Sequence, residues 1–568
     1  MAEHLNPAEI EKSLNLERFE PPEKIDWLDN SFGEDSFFWP SLSRSHDRQF
    51  SSAGKSRPFK QYDFFHDIIT RNISRENPAF IIYDPNTLWQ EISYQTLGKK
   101  AEKISDNWRN LGVKPGDTLC IIKPFGLGYL LSLLAGLRTG VILSFIMPQG
   151  KALIRKKLEA LQPDHICTEN IYLPLLSEVQ DKIINEDGDG EKTSVEDRSH
   201  TYSTGEVAAR LFDPMCTDLF TPKEIASDLL YLSGIRDGFI GLGLCPGDIF
   251  AAPGFNDGLT QPSFALAVLM NGATCLHISM TDITKDPNLL TIYPLKVLGI
   301  CSQLRDILME HPVRKVRIWD SWFRDPTDSS DMHVWDMFIK KLELTDIPAG
   351  CMVWNSAMGG GLLFSRRRKG QALQNVLPLP GRKWQLTMMA DDTTEALGGL
   401  GHFCVAASLG KDEEVYLPTP CILMDTFLEK IFLNLTIPVR KGIYYPKKFI
   451  TEVVRKIDDC KDAVIVEIQN TGNTATFEFH LLIFCGTKKS IHPADIIKKI
   501  NDTIQSQIGK AFFVDNIYLF PLFPRRAENN TIDEDWCCLQ YLNGGLNRKS
   551  KDELFLGLSG IRAHVFEH

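Results

Sequence analysis

The 568-residue chain has no excess of positive charge, no paired cysteine spacing and no unbroken apolar run long enough to span a membrane. Each absence excludes a class of function. Lysine and arginine number 62 against 73 aspartates and glutamates, a formal net charge of −11, so nucleic acid is not an expected partner. Binding a phosphate backbone rests on a basic field. The 13 cysteines are scattered and odd in number, and Cys537-Cys538 is merely adjacent. That usage fits free thiols in a reducing cytoplasm better than a disulfide framework or a metal centre. The most apolar stretch, 129–147, is broken by Gly136, Arg138 and Gly140 and reads as a buried helix followed by a buried strand. The opening MAEHLNPAEIEKSLNLERF is polar and acidic, unlike a secretory signal. No Ser-His-Asp order, HExxH, Walker loop or intact GxGxxG occurs.

What is present is one phrase written twice. Leu111-Gly112-Val113-Lys114-Pro115-Gly116-Asp117 returns as Leu242-Gly243-Leu244-Cys245-Pro246-Gly247-Asp248. Each copy leads into an apolar strand, a helical stretch ending in glycine (Gly140, Gly272) and a second apolar strand. Two matched strand–helix–strand units predict two related α/β lobes. Leu97, Ala101, Ile104, Trp108 and Leu111 recur at helical spacing before the first copy. Residues 1–60 lack periodicity and carry Trp27, Phe37, Phe38 and Trp39, as a segment that wraps a larger body does. The polar stretch 186–204 reads as an exposed loop between lobes 61–185 and 205–433. Beyond a composition shift at 434–442, the patterns run helix (449–457), strand (463–468), strand (477–484), helix (493–508) and strand (514–519), a small, mobile α+β module over 434–568.

The block from Ile92-Ser93-Tyr94-Gln95-Thr96-Leu97 through Gly116-Asp117 resembles the opening block of the acyl-adenylate-forming superfamily. That superfamily holds acyl-CoA synthetases, peptide-synthetase adenylation domains and firefly luciferase. The second half is closer to its phenylacetate-CoA-ligase-like members. The resemblance spans roughly residues 60–540 and implies a two-step chemistry. A carboxylate attacks the α-phosphate of ATP, and a thiol, coenzyme A or a carrier, then displaces AMP. Negative charge gathers in the transition state, so backbone donors, magnesium and a lysine are required around it.

The same resemblance assigns candidate positions. A glycine-rich phosphate loop aligns with Met215-Cys216-Thr217-Asp218-Leu219-Phe220-Thr221-Pro222-Lys223, where only Thr221, Pro222 and Lys223 survive. Its glycines are gone, and Asp218 brings negative charge toward a polyanion. The alternative is a plain turn before a helix over 225–232. A Thr-Glu pair that supports magnesium and catalysis aligns with Thr394 and Glu395, although Asp391 and Asp392 replace an aromatic and a glycine. A solvated acidic turn is the alternative there. Gly359, Gly360 and Gly361 align with the turn that contacts adenine and the acyl pocket, or form a flexible turn.

Elsewhere the family residues are missing. Thr419-Pro420-Cys421 lacks the ribose aspartate, the hinge around 423–425 lacks its arginine, and the terminal lysine falls on Asn530 or Thr531. Arg525 and Arg526 are the nearby cations. Arg366-Arg367-Arg368-Lys369 reads either as a contact for coenzyme A phosphates or as a solvated or partner-docking patch. The expectation is an adenylate-forming fold that is catalytically silent or repurposed, for binding an acyl group or assembling with a protein. An active ATP- and magnesium-dependent ligase of a small carboxylic acid is the alternative.

Overall fold

The computed structural model describes residues 39, 42–43, 46–47, 61–185, 199–216, 218–255, 258–313, 319–324, 332–365, 368–369, 377–388, 391–395, 400–407, 409, 416–425, 430–433, 439–440, 443–457, 460–469, 477–485, 493–509, 512–527 and 530–550. The chain divides into two compact units, 1–148 with 157–437, and 149–156 with 438–568.

In the larger unit, strands β1 (Pro78–Asp84) and β2 (Leu88–Ser93) precede helix α1 (Tyr94–Asn110). The Ser93 hydroxyl caps α1 by accepting the Thr96 N–H at 3.1 Å, and the helix buries Leu97, Ala101, Ile104 and Trp108, as the spacing predicts. The first repeat then forms β3 (Thr118–Ile122), α2 (Leu127–Thr139) and β4 (Ile142–Phe145), with β3 and β4 parallel. Strands β5 (His165–Thr168), β6 (Ile183–Ile184) and the hairpin β7 (Val207–Phe212)–β8 (Pro222–Ala226) complete a sheet in the order β8-β7-β4-β3-β5-β6. Helix α3 (Ser227–Arg236) follows. The second repeat forms β9 (Ile249–Ala251), α4 (Ser263–Leu269) and β10 (Thr274–His277), and β9 and β10 are again parallel. With β11 (Leu295–Ile300), β12 (Trp319–Arg324), β13 (Pro348–Asn355), β14 (Gly360–Phe364) and β15 (Leu377–Pro378) they build a second sheet. Its order is β15-β14-β13-β12-β11-β9-β10-β1-β2.

The Pro-Gly-Asp turns of the two copies share their backbone bonds, although the Asp117 carboxylate also meets His165 Nε2 at 3.1 Å. Gly116 and Gly247 stand at φ +89° and +92°, which favours glycine on backbone grounds alone. The Gly116 N–H donates to Gly140 at 2.9 Å, and Gly247 to Gly272 at 3.0 Å. The Asp117 carboxylate accepts the Lys114 N–H at 2.8 Å, and Asp248 accepts that of Cys245 at 2.7 Å. The carbonyls of Asp117 and Asp248 accept Ile142 and Thr274, each at 2.8 Å, and so start the parallel pairing in both lobes.

The sheets do not follow the sequence segments 61–185 and 205–433. Strands β1 and β2 join the second sheet, where Phe80 lies opposite Cys275. Hairpin β7–β8 joins the first, where Ala209 lies opposite Leu143. An edge strand pairs with whichever sheet offers an open backbone row, and local pattern does not encode that choice. A five-stranded antiparallel sheet follows, made of β16 (Trp384–Met388), β17 (Asp391–Glu395), β18 (Leu400–Ala406), β19 (Tyr416–Asp425) and β20 (Lys430–Leu433) in the order β17-β16-β18-β19-β20.

The described part of residues 1–60 packs on this unit. Trp39 and Leu42 are buried, and the Trp39 indole donates to the Gly381 carbonyl at 2.8 Å. His46 donates from Nε2 to the Met270 carbonyl at 2.9 Å, and burial, helped by Arg71, pushes its imidazole down to about 3. Asp47 pairs with Arg71 at 3.0 Å. Trp27, Phe37 and Phe38 lie outside the described residues.

The smaller unit runs α5 (Lys447–Arg455), β21 (Asp462–Gln469), β22 (Phe477–Phe484), α6 (Pro493–Gln507) and β23 (Asn516–Phe520), the order read from the sequence. A further helix, α7 (Glu534–Leu542), is capped by Asp533, which accepts the Trp536 N–H at 3.0 Å. No helix among the described residues is long and apolar enough to cross a membrane, and the described cysteines are all free thiols.

Candidate active site

Thr221, Pro222 and Lys223 lie at the hairpin rather than in a turn before a helix. Pro222 opens β8 opposite Phe212, and Lys223 pairs with Leu211, so strand continues through Ala226 and α3 starts only at Ser227. A proline is tolerated here because it is the first residue of its strand. Residues 213–216 and 218–221 therefore belong to the loop of a hairpin.

That loop is satisfied by its own carboxylates. Asp213, 1% exposed, accepts Lys223 Nζ at 2.8 Å. Its second oxygen accepts the Met215 N–H and the Asn355 side-chain amide, both at 2.9 Å. Asp218 accepts the Phe220 N–H at 3.0 Å and the Thr221 hydroxyl. These bonds, the Thr221 hydroxyl first, hold the Asp218 carboxyl below the usual carboxylate range. The lysine, the hydroxyl and two backbone donors that could meet phosphate oxygens thus meet aspartate oxygens of the same chain. The donor set does not fit a polyphosphate as it stands.

Asn355 ends β13, so the loop lies at the carboxyl end of a parallel strand, the end at which open α/β sheets bind ligands. The next turn, 356–361, carries the three predicted glycines. A methyl group on Gly359 would meet Leu229 at 2.8 Å, one on Gly360 would meet Asp237 at 2.5 Å, and one on Gly361 would meet Leu379 at 2.4 Å. Close approach does explain these glycines, but the approaching groups belong to the chain itself. Gly359 and Gly360 also stand at φ +82° and +107°.

Beneath the turn lies a buried ionic cluster. Arg236 and Asp237 are 0% and 1% exposed at the side chain and pair at 2.7 Å. Arg236 donates to the carbonyls of Gly361 at 2.8 Å and Pro380 at 3.1 Å, while Asp237 accepts the Gly361 N–H at 2.7 Å. Arg382 donates to the carbonyls of Met358 and Ala406. Burial raises the Asp237 carboxyl against the pull of Arg236. Burial, with Arg236 beside it, pushes Arg382 down to about 9.

Sequence reasoning missed Asp213, Asn355, Arg236, Asp237 and Arg382. Two of them left a trace: Asp213 stands before Pro214 at a strand end, and Asn355 closes an apolar strand. The structure brings the hairpin loop and the glycine turn together through Asp213 and Asn355. Thr394 and Glu395 lie on β17, a strand and not a turn, at the edge of the five-stranded sheet, and their side chains lie outside the described residues.

Asp425 ends β19, so the segment 423–425 is strand. Arg368 and Lys369 pair with Ala349 and Pro348, while Arg366 and Arg367 lie outside the described residues. In the smaller unit Arg526 pairs with Asp462 at 2.7 Å and Arg525 with Asp533 at 3.4 Å, so both cations near Asn530 and Thr531 are engaged by local acids.

No family model and no curated protein matches the sequence. Solved structures do. The chain is similar to a double mutant of o-succinylbenzoate CoA synthetase from Bacillus subtilis bound with a product analogue, at TM-score 0.65 and 11% identity over 84% of this chain and 98% of that one. It is similar to NpsA-ThdA from Klebsiella oxytoca, an artificially fused adenylation–PCP didomain, at TM-score 0.60 and 13% identity over 80% and 93%. The unliganded B. subtilis synthetase gives TM-score 0.53 and 12% identity over 81% and 99%. At these identities the likeness is one of architecture, and it bears out the resemblance read at Tyr94 to Asp117: the chain has the fold of the acyl-adenylate-forming enzymes.

Proposed function

We propose that the chain is a catalytically silent or repurposed protein of adenylate-forming fold, which uses its large unit to bind an uncharged or acyl ligand or to assemble with a protein partner in the cytoplasm. The observation that carries this reading is Asp213 on Lys223 at 2.8 Å, with Asp218 on Thr221. A buried carboxylate paired with the only cation of the surviving Thr221-Pro222-Lys223 segment opposes a second anion. Two unit charges ~4 Å apart are worth roughly 4 kcal/mol at an effective dielectric of ~20. Loss of one preorganised charge stabiliser typically slows a reaction about 10²–10³-fold, and the family resemblance puts other residues at the positions of the loop glycines, ribose aspartate, hinge arginine and terminal lysine.

The competing reading is an ATP- and magnesium-dependent ligase that transfers an acyl group to coenzyme A or a carrier thiol. It is favoured by the nature of the solved neighbours, a CoA synthetase and an adenylation domain joined to a PCP. In that reading Thr221, Pro222, Lys223 and Gly359 to Gly361 hold the nucleotide, and Thr394 and Glu395 serve catalysis, with Glu395 on magnesium. Titration calorimetry of ATP, with and without magnesium, decides between them. No heat at millimolar ATP supports the silent protein, whereas micromolar magnesium-dependent binding together with carboxylate-dependent pyrophosphate exchange establishes the ligase.

A further inference from the structure

A carboxylate, an imidazole and an amide meet on one face of the smaller unit's sheet. Glu478 and His480 stand two residues apart on β22, so they share a face, and Asn516 on β23 lies directly opposite His480. Their polar atoms converge on His480 Nε2, with Glu478 Oε2 at 3.1 Å and the Asn516 side-chain amide at 2.9 Å. The other ring nitrogen, Nδ1, lies 2.7 Å from the phenol oxygen of Tyr541 on α7. The His480 side chain is 8% exposed and that of Glu478 42%, so the ring is held by its neighbours while the carboxylate reaches solvent.

One proton does not satisfy this arrangement. If Nε2 carries it, the Asn516 amide N–H faces another donor; if Nε2 is bare, its lone pair faces the Glu478 carboxylate. Turning the Asn516 amide brings its oxygen to the same point, and two oxygens and a nitrogen then offer electron pairs to one position. We propose that Glu478, His480 and Asn516 bind a divalent cation of borderline softness, zinc above all, with water completing a tetrahedron. Imidazole and oxygen ligands suit such an ion. With bonds of about 2.0–2.2 Å, tetrahedral ligand atoms stand roughly 3.3–3.6 Å apart, a few tenths of an ångström beyond the spacing seen here. Nδ1–H then donates to Tyr541, the kind of outer bond that orients a metal-bound histidine. No three histidines, cysteines, aspartates or glutamates converge among the described residues, so the third protein ligand is the neutral amide. The site shares no residue with the reading proposed above and stands or falls apart from it.

The test titrates the full chain with Zn²⁺ by calorimetry and with Co²⁺ by visible absorption, without nucleotide. A saturable equivalent of Zn²⁺ is the expected result, lost in His480→Gln and weakened at least about tenfold in Glu478→Gln. Tyr541→Phe should weaken it by roughly 10–100-fold and leave the stoichiometry unchanged, which a merely structural hydrogen bond would not do. Free thiols also bind zinc, so the Co²⁺ spectrum identifies the ligands: d–d bands without a thiolate charge-transfer band are expected. No saturable Zn²⁺ binding by the unaltered chain, or a thiolate band that saturates with the first equivalent, overturns the inference without requiring any variant to fold. Equal affinity in Glu478→Gln, a change at a solvent-reaching carboxylate, overturns it even if His480→Gln fails to fold.

Discussion

The two Pro-Gly-Asp turns and the loop 213–221 use the same device, an aspartate that accepts nearby backbone N–H groups, with different consequences. At Asp117 and Asp248 the acceptor and donor are three residues apart, and the product is a rigid start for a parallel strand pair. At Asp213 the carboxylate also takes the Lys223 ammonium and an amide from Asn355, 142 residues away. The turns are kept in duplicate because each solves a local backbone problem. The loop is closed because its donors have found partners inside the fold. Scaffold and site can therefore diverge independently, and the shared fold carries no guarantee of shared chemistry.

The sharpest way to test the contrast is to break a long-range contact. Asp237→Ala leaves Arg236 buried without its partner and should cost about 3–5 kcal/mol, read by urea unfolding. A loss below about 1 kcal/mol would mean that the cluster is not a structural keystone.

Acid should loosen the packing of His46 next. His46 is held far below its usual value, so the unfolded chain takes up a proton that the folded chain refuses. Its stabilising contribution is complete above about pH 6.5 and falls by roughly 1.4 kcal/mol per pH unit as pH drops toward 4. In His46→Phe the pH slope of unfolding free energy in that window should shrink by about one proton, and an unchanged slope would refute the assignment.

Asp213→Asn tests the loop itself. It keeps the shape, releases Lys223 and should cost about 1–3 kcal/mol. Pyrophosphate should give no calorimetric heat with the unaltered chain and bind measurably to the variant; silence from both would show that more than Asp213 closes the loop.

The smallest effects concern the turns. In a His165→Phe background, Asp117→Ala should cost about 1 kcal/mol, as Asp248→Ala does in the unaltered chain, the two alike within about 0.5 kcal/mol. Unequal losses in thermal unfolding would end the claim that the copies are equivalent.

Much of the scaffold was legible because its signals are local. The repeat, the face of α1 and the element order of the smaller unit all rest on periods of a few residues. The exchange of β1–β2 and β7–β8 between sheets was not, since pairing partners lie far along the chain. At the site, Thr221, Pro222, Lys223 and the three glycines were found as a pattern. Their surroundings were invisible, because Asp213, Arg236 and Asp237 look in sequence like any charged residues at the ends of strands and helices.

By itself the sequence determined the two matched strand–helix–strand units and their paired turns, which are set by residue identity and short spacing. Only the tertiary structure decided what surrounds the candidate positions. It set Asp213 on Lys223 and Asp237 against Gly360 and Gly361. Burial and hydrogen-bond satisfaction are properties of the packed chain, and segments more than a hundred residues apart must meet before either exists.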